Sequence, residues 1–405
     1  MNYKNIEIID YTHDGLGIGK TDRFPLFIKG VAIGDVVDVH VTKDMKSYAF
    51  AAVDHFHHST TIPAVCEHYE TCGGCHVMHL TPEAQRDFKE RKVSNAMIRI
   101  AKLTNQNIRV MTANKPLLYR NKVRFHVVNG QLGYFEEKSH HLVPITNCFV
   151  AAPIIMDAAN SIPFLEDLRG VTLRTNESQN ELMVILEGPV NHKEAITWAK
   201  DYSVTSLYVV DQELLHLFGS ETYLEMYGEL TFSVGPKSFF QIAPSMAYQM
   251  FETALSWVDF DNKHVVDLYS GVGVIGLLVS KRAQKVTMIE SNPHAVTEAL
   301  ANIETNQITN TSVLQGSVHQ HLQKVQGIDV IVVDPPRSGL DKKTLELIIE
   351  TQVNELLYIS CDPSTLARDL LVLKETYQII KTKSFDMFAQ TSHVETAVYM
   401  ERKQS

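Results

Sequence analysis

Val265-Val266-Asp267-Leu268-Tyr269-Ser270-Gly271-Val272-Gly273-Val274-Ile275-Gly276 reads as a buried strand that passes through a glycine-rich turn into a helix. Glycines at such a junction permit backbone conformations closed to other residues and let a ligand approach the main chain. Working outward, residues 285–289, 311–314, 330–333, 356–359 and 377–380 are further apolar strands. They recur roughly every 20–25 residues, the period of βα units. Residues 236–405 are therefore expected to form a doubly wound, mostly parallel, Rossmann-like sheet. Glu290 stands nineteen residues after Gly271, at the end of the second strand, where a carboxylate accepts hydrogen bonds from ribose hydroxyls. The glycine turn alone would suit a nicotinamide dinucleotide, so the residues after the later strands must decide.

The fourth strand ends in Asp334-Pro335-Pro336-Arg337. This looks like the loop that faces the transferred methyl in class I methyltransferases, with Arg337 where enzymes acting on exocyclic amines usually carry an aromatic residue. The fifth strand ends in Ser360-Cys361-Asp362-Pro363. Asp362 suits an N-cap and Pro363 a first helical position, which puts Cys361 at the positive end of a helix and favours its thiolate. An ordinary buried cysteine is the competing reading. Before the last strand, His393 and Glu395 offer a general base.

The segments SCDPSTLARDL, DPPRSGL and DMFAQTSHVET together resemble the RNA uracil-5-methyltransferase family, the RumA and TrmA type, over the whole chain. The resemblance implies S-adenosylmethionine as methyl donor, Cys361 as the nucleophile that adds to carbon 6 of uracil, and Glu395 as the base that removes the carbon 5 proton. It further implies a cofactor site built from Gln241, Tyr269, Gly271, Gly273, Glu290, Ser317 and Asp334. One departure is Val274, which stands where members commonly carry a polar residue. Cytosine-5 methyltransferases of RNA usually add a second cysteine in the fourth-strand motif, and none is present here.

Residues 1–57 alternate short apolar strands with turn-rich segments and are expected to form a small β-barrel, which resembles the RNA-binding TRAM domain. Residues 58–235 are expected to be a central α+β domain that includes a helix over about 81–102, begun by Thr81 and Pro82. At its start, Cys66, Cys72 and Cys75, with Cys148 downstream, provide four thiols. By chemistry these suit either an iron–sulfur cluster or zinc. The resemblance, through the spacing in CEHYETCGGC, favours a [4Fe–4S] cluster and the 23S ribosomal RNA branch over transfer RNA.

A formal net charge of −10 excludes adhesion to nucleic acid over the whole surface. RNA contacts must then be local, and residues 86–102 and 115–124 concentrate Lys and Arg. No apolar run approaches a membrane span and the first residues lack the layout of a signal peptide. A cytoplasmic monomer is expected.

Overall fold

The computed structural model describes residues 1–104, 108–137, 139–176, 178 and 180–404. At the N-terminus β1 (Asn2–Tyr11), β2 (Gly17–Lys20), β3 (Pro25–Ile28), β4 (Val36–Asp44) and β5 (Ala49–His58) form a closed barrel in the order β1-β2-β3-β5-β4. Alternate residues such as Ile6, Ile8, Leu26, Ile28, Val37 and Val39 point inward and fill it. The packing is tight at β2, where a Cβ on Gly17 would come within 2.3 Å of Val31 and one on Gly19 within 2.3 Å of Ile6.

Helix α1 (Pro82–Arg99) begins at Thr81, whose hydroxyl accepts from the Ala84 N–H at 3.2 Å, with Pro82 in its first turn. Its buried face is shared. Phe88 packs with Ala32, Val77 and Leu80 beneath the barrel, while Val93, Ala96 and Met97 join the core of the C-terminal sheet. The helix thus ties the barrel to the C-terminal sheet. Next comes the short β6 (Val110–Met111).

The central sheet contains β7 (Lys122–Val128), β8 (Gln131–Phe135), β9 (Leu142–Pro144), β10 (Gly170–Asn176), β11 (Glu181–Glu187), β12 (Ser206–Val210) and β13 (Leu214–Gly219). Their order is β13-β12-β11-β10-β7-β8-β9, antiparallel except for β11 and β12. Helices α2 (Pro153–Ser161) and α3 (His192–Asp201) share its core through Ile155, Ala159 and Trp198. A hairpin, β14 (Tyr223–Tyr227) and β15 (Leu230–Val234), and helix α4 (Pro244–Leu255) lead into the last region.

There β16 (His264–Leu268), β17 (Lys285–Glu290), β18 (Thr311–Gln315), β19 (Val330–Val333) and β20 (Glu355–Ser360) run parallel. Helices α5 (Val274–Ser280), α6 (Pro293–Thr305), α7 (Val318–His321), α8 (Lys342–Glu350) and α9 (Pro363–Leu373) connect or follow them. The strand order is β18-β17-β16-β19-β20-β22-β21-β6, with β21 (Tyr377–Phe385) and β22 (Glu395–Arg402). The expected doubly wound sheet is present, and β22 enters it antiparallel between β20 and β21. The order reverses between β16 and β19, which opens a crevice at their carboxyl ends. No helix among the described residues is long and apolar enough to cross a membrane.

Candidate active site

At the crevice, the turn after β16 adopts backbone angles that its glycines allow. Gly271 and Gly273 have φ of 55° and 92°, and Tyr269 is also left-handed at 63°. The Gly271 N–H donates to Glu290 Oε2 at 3.0 Å and the Asn292 N–H to Oε1 at 2.6 Å, which fixes the Glu290 carboxylate at the crevice rim. A Cβ on Gly271 would meet nothing within 4 Å, so this stretch of backbone faces open space. Beside it, the buried Ser270 hydroxyl has no hydrogen-bond partner among the described residues. An orphaned donor, an open backbone face and a carboxylate fixed at the rim fit an adenosyl ligand.

Burial pushes Asp267 well above the usual carboxylate range, and Asp334 and Glu290 add to the effect. Three carboxyl groups therefore converge at the crevice, and a sulfonium cation beside them would favour their ionised forms. Ser317, at the end of β18, caps α7, and its N–H is bonded to the Gln320 side chain at 2.8 Å. Gln241 is buried. The loop before it is gripped by Arg174, whose guanidinium donates to the carbonyls of Gly235, Pro236 and Ser238 at 3.0, 3.3 and 2.8 Å. Val274 packs against the sheet core and offers the crevice no polar group.

The second half of the site forms where β20 and β22 pair. Ser360 is the register partner of Thr396, so one step beyond the last pair Cys361 stands opposite Glu395. Neighbours across antiparallel strands lie about 5 Å apart. Asp334 and Arg337 from the loop after β19 face the same point. That loop is locked to α9: Thr365 Oγ1 donates to the Arg337 carbonyl at 3.1 Å, and the Leu340 N–H and the Tyr358 hydroxyl donate to Asp369 Oδ2 at 2.8 and 2.7 Å.

Asp362 caps α9 as expected, accepting from the N–H groups of Ser364 and Thr365 at 2.8 and 3.0 Å, with Pro363 in the first turn. The expected easing of the thiol does not follow. Burial, then Glu395 and Asp334, push Cys361 up to about 12, against the lowering effect of Arg337. Desolvation and two carboxyls outweigh one helix terminus. Glu395, only 3% exposed, is pushed up to about 8 by burial and by Asp334. Burial alone takes Asp334 to about 7. Burial, aided by Arg337, Lys92, His76 and Lys89, holds His393 down at about 4, so it is neutral at pH 7.

The four thiols Cys66, Cys72, Cys75 and Cys148 line one cavity of about 30 Å³, with Tyr69, Arg120 and Tyr134 around them. All are free, and among the described residues no group of three or more His, Cys, Asp or Glu is arranged to hold a single metal ion. Burial raises the thiols of Cys66, Cys72 and Cys75, the last to about 12, and the neighbouring sulfurs raise them further. The loop that carries these cysteines abuts the segment leading to Glu395. The His76 and Val77 N–H groups both donate to the Gln390 carbonyl, at 2.9 and 3.1 Å.

Not all of the basic residues that read as RNA contacts face solvent. Lys89 is buried and bonded to Asp386, and Lys92 donates to the Ser392 carbonyl at 2.7 Å; Arg124 stays exposed but is paired with Glu187 through two contacts at 2.8 and 2.6 Å. Gln85, Lys89 and Val93 follow one another at helical spacing on the buried face of α1, and that periodicity is the signal that marks Lys89 as inward. Asp369 lies by the same rule on the buried stripe of α9 with Leu366, Leu370 and Leu373.

Residues 172–403 match the sequence profile of the tRNA (uracil-5-)-methyltransferases, and residues 3–53 match the TRAM domain. The chain belongs to the tRNA (uracil-5-)-methyltransferase family. A protein of Clostridium acetobutylicum described as an uncharacterized RNA methyltransferase is 32% identical to this methyltransferase, over 99% of the chain and 97% of that protein. One of Staphylococcus aureus with the same description is 29% identical, over 98% and 97%. Among solved structures, Pyrococcus abyssi tRNA (uracil-54, C5)-methyltransferase in complex with S-adenosyl-L-homocysteine superposes with a TM-score of 0.79, covering 98% of this chain and 99% of that one at 24% identity. The methyltransferase is thus an S-adenosylmethionine-dependent RNA (uracil-5-)-methyltransferase with a class I catalytic fold and an N-terminal TRAM barrel.

Proposed function

We propose that Cys361 and Glu395 carry out the two proton-coupled halves of uracil C5 methylation, with 23S ribosomal RNA as the substrate. The observation that carries the mechanism is the strand register that sets Cys361 opposite Glu395, since carbons 6 and 5 of uracil are adjacent atoms that the two groups must reach together.

Carbon 5 of uracil is too weak a nucleophile on its own. The Cys361 thiolate adds to carbon 6, and the displaced electron pair makes carbon 5 nucleophilic. S-adenosylmethionine, when bound, supplies a methyl group activated by its sulfonium. Once carbon 5 carries the methyl, Glu395 accepts the proton that remains there, the carbon 5–carbon 6 double bond re-forms, and the Cys361 thiolate leaves. Arg337, whose charge favours the ionised forms of both groups, lowers the cost of reaching the thiolate and the carboxylate. Gln241, Tyr269, Gly271, Gly273, Glu290, Ser317 and Asp334 hold the cofactor, and the apolar faces that bury Glu395 keep water from the base.

Cys66, Cys72, Cys75 and Cys148 hold a [4Fe–4S] cluster. Four thiols around one cavity supply one ligand per iron, and binding to iron would relieve the burial that raises Cys66, Cys72 and Cys75. Its role is to order the loop that buttresses Gln390 and, through it, the base. The combination of this cysteine set with the barrel supports ribosomal over transfer RNA.

The test uses transcripts of unmodified 23S rRNA and of tRNA carrying tritium at uracil carbon 5. Wild-type protein with S-adenosylmethionine should release tritium from 23S rRNA, Cys361→Ala should release none and form no covalent RNA adduct, and Glu395→Gln should accumulate the adduct. Methylation by Cys361→Ala would end the nucleophile assignment, and release from tRNA alone would transfer the substrate reading to tRNA.

A further inference from the structure

The outside of the barrel carries three aromatic rings where strand alternation leaves room for polar side chains. In β3 and β5, Leu26, Ile28, Ala49 and Ala51 fill the interior, so Phe27 and its register partner Phe50 point outward. Tyr48, just before β5, stacks on Phe27 with ring centroids 5.0 Å apart and an interplanar angle of 28°. Phe50 meets both rings edge-on, at 5.9 and 5.8 Å. The rings hold one another in place, and each is only half-buried.

They form one wall of a groove of about 510 Å³ whose other wall is α1. Phe88, Lys92, Asn95 and Arg99 line that wall, spaced three or four residues apart so that they share one helix face. The stripe rises about 16 Å along the helix axis. Two of its polar groups are unspent. The half-buried Asn95 amide and the exposed Arg99 guanidinium have no hydrogen-bond or ion-pair partner among the described residues. Arg91, by contrast, donates to Asp87 at 2.6 Å. Asp10 and Asp14 also line the groove, and they act on Arg91 and Lys92 respectively. Asp10 accepts from the Tyr11 N–H at 2.9 Å, and Asp14 lies 3.2 Å from His13 Nε2. The unpaired cation, Arg99, therefore stands about two helical turns beyond the acids.

The groove adjoins the catalytic pair. Ser364, in the first turn of α9, lines it and follows Cys361 by three residues. Lys92 donates to the Ser392 carbonyl at 2.7 Å, three residues before Glu395, and feels the charges of Asp362 and Arg337.

Flat rings, an amide that can both donate and accept, and a free guanidinium match successive unpaired bases on a charged backbone. Aromatic platforms beside cations hold single-stranded nucleic acid because every base offers a π face, and unpaired bases leave their edges free for hydrogen bonds. A duplex, whose base faces are already stacked on one another, would leave the three rings unused. We propose that the groove between the barrel and α1 holds an unpaired stretch of the RNA beside the target uridine, with bases stacked on the rings of Phe27, Tyr48 and Phe50, Asn95 at a base edge and Arg99 at a phosphate. This rests on the reading of Cys361 and Glu395 as the pair that takes the target uridine. The substrate must then be single-stranded on one flank of that uridine, so local RNA secondary structure decides which sites are accepted.

The test compares full-length protein binding to two short RNAs of the same uridine-containing sequence, one single-stranded and one with complementary strands annealed on both flanks of the uridine. Wild-type protein should bind the single strand more tightly. Tyr48→Ala removes a ring outside the barrel core and should weaken single-strand binding about fivefold or more, with the salt dependence unchanged. Arg99→Ala should weaken binding and lower the slope of log affinity against log salt by about 0.7. Urea resistance and S-adenosylmethionine affinity should match the wild type in both variants, which separates loss of a contact from loss of the fold. 4-Thiouridine placed next to the uridine should crosslink to the peptides bearing Tyr48 and Asn95. Wild-type affinity for the single strand in both variants, equal wild-type affinity for the flanked duplex, or crosslinks confined to other peptides overturns the proposal. Tritium release reports on the uridine reading separately: wild-type protein that releases none, while Tyr48→Ala still loses single-strand binding, would refute that reading and leave the groove standing.

Discussion

The ammonium of Lys89 in α1 is fully buried and bonded to the carboxylate of Asp386, the first residue after β21. The same ammonium donates to the Phe388 carbonyl at 3.1 Å. One ion pair therefore pins the segment that runs to Glu395 against the helix that also carries the barrel. Breaking a buried pair leaves the remaining charge uncompensated, which costs roughly 3–5 kcal/mol. Lys89→Met should lose about that much stability in urea unfolding, and adding Asp386→Leu should restore most of it. Methyl transfer should stay low in the double variant, because Phe388 has still lost its anchor.

Glu395 makes stability and rate depend on pH in opposite senses. Burial raises its carboxyl from the ordinary 4.5 to about 8, so between those values the folded protein binds a proton that the unfolded chain has released. The stability this contributes is complete below pH 4.5 and is lost as pH rises through 8. Glu395→Gln stays neutral throughout. Its unfolding free energy should gain on the wild type from about pH 5 to about pH 8 and then run parallel to it.

The base must be ionised to act, so kcat/KM of the wild type should rise with pH through about 8. It should go on rising above that, because the Cys361 thiol titrates near 12. Glu395→Gln should turn over at least ~10²-fold more slowly. A wild-type profile already flat at pH 6 would contradict both assignments.

Tyr358 and Leu340 share Asp369 as an acceptor, which joins the strand before Cys361 to the loop after Asp334. Tyr358→Phe removes a buried hydrogen bond to a charged group, worth about 1.5–3 kcal/mol. Stability should fall by that amount and kcat by more than KM changes, while affinity for S-adenosylmethionine is retained. Equal losses in kcat/KM and cofactor affinity would show a general collapse of the crevice instead.

If the four cysteines hold the cluster, anaerobically purified protein should contain iron and acid-labile sulfide at about four each per chain and absorb broadly in the visible. Cys75→Ser should lose most of the iron and soften the protein to proteolysis near residues 72–78. Stoichiometric zinc without iron would replace the cluster reading with a zinc site.

Much of this was legible in one dimension. The βα period, the glycine turn and the Asp362-Pro363 cap are local patterns, and local patterns survive folding unchanged: hydrophobic spacing sets which face is buried, and a cap bonds only to its own first turn. Other features depended on partners distant in the chain. Nothing near Lys89 announces Asp386, some three hundred residues away, and a lysine in a basic stretch reads as solvent-facing until its place on the buried stripe of α1 is considered. The protonation of Cys361 belongs to this class too. Its own helix argues for a thiolate, but Glu395 and Asp334 arrive from other strands and reverse the balance.

The sequence by itself thus determined the kind of fold and the family, and it nominated Cys361, Glu395 and the four thiols, because these reside in residue types and motifs. Only the tertiary structure decided how they act together. The insertion of β22 between β20 and β21 brings Glu395 opposite Cys361, and the loop of Cys75 is laid against Gln390. Strand order and burial are properties of the whole chain, since each depends on which distant surfaces exclude water from one another.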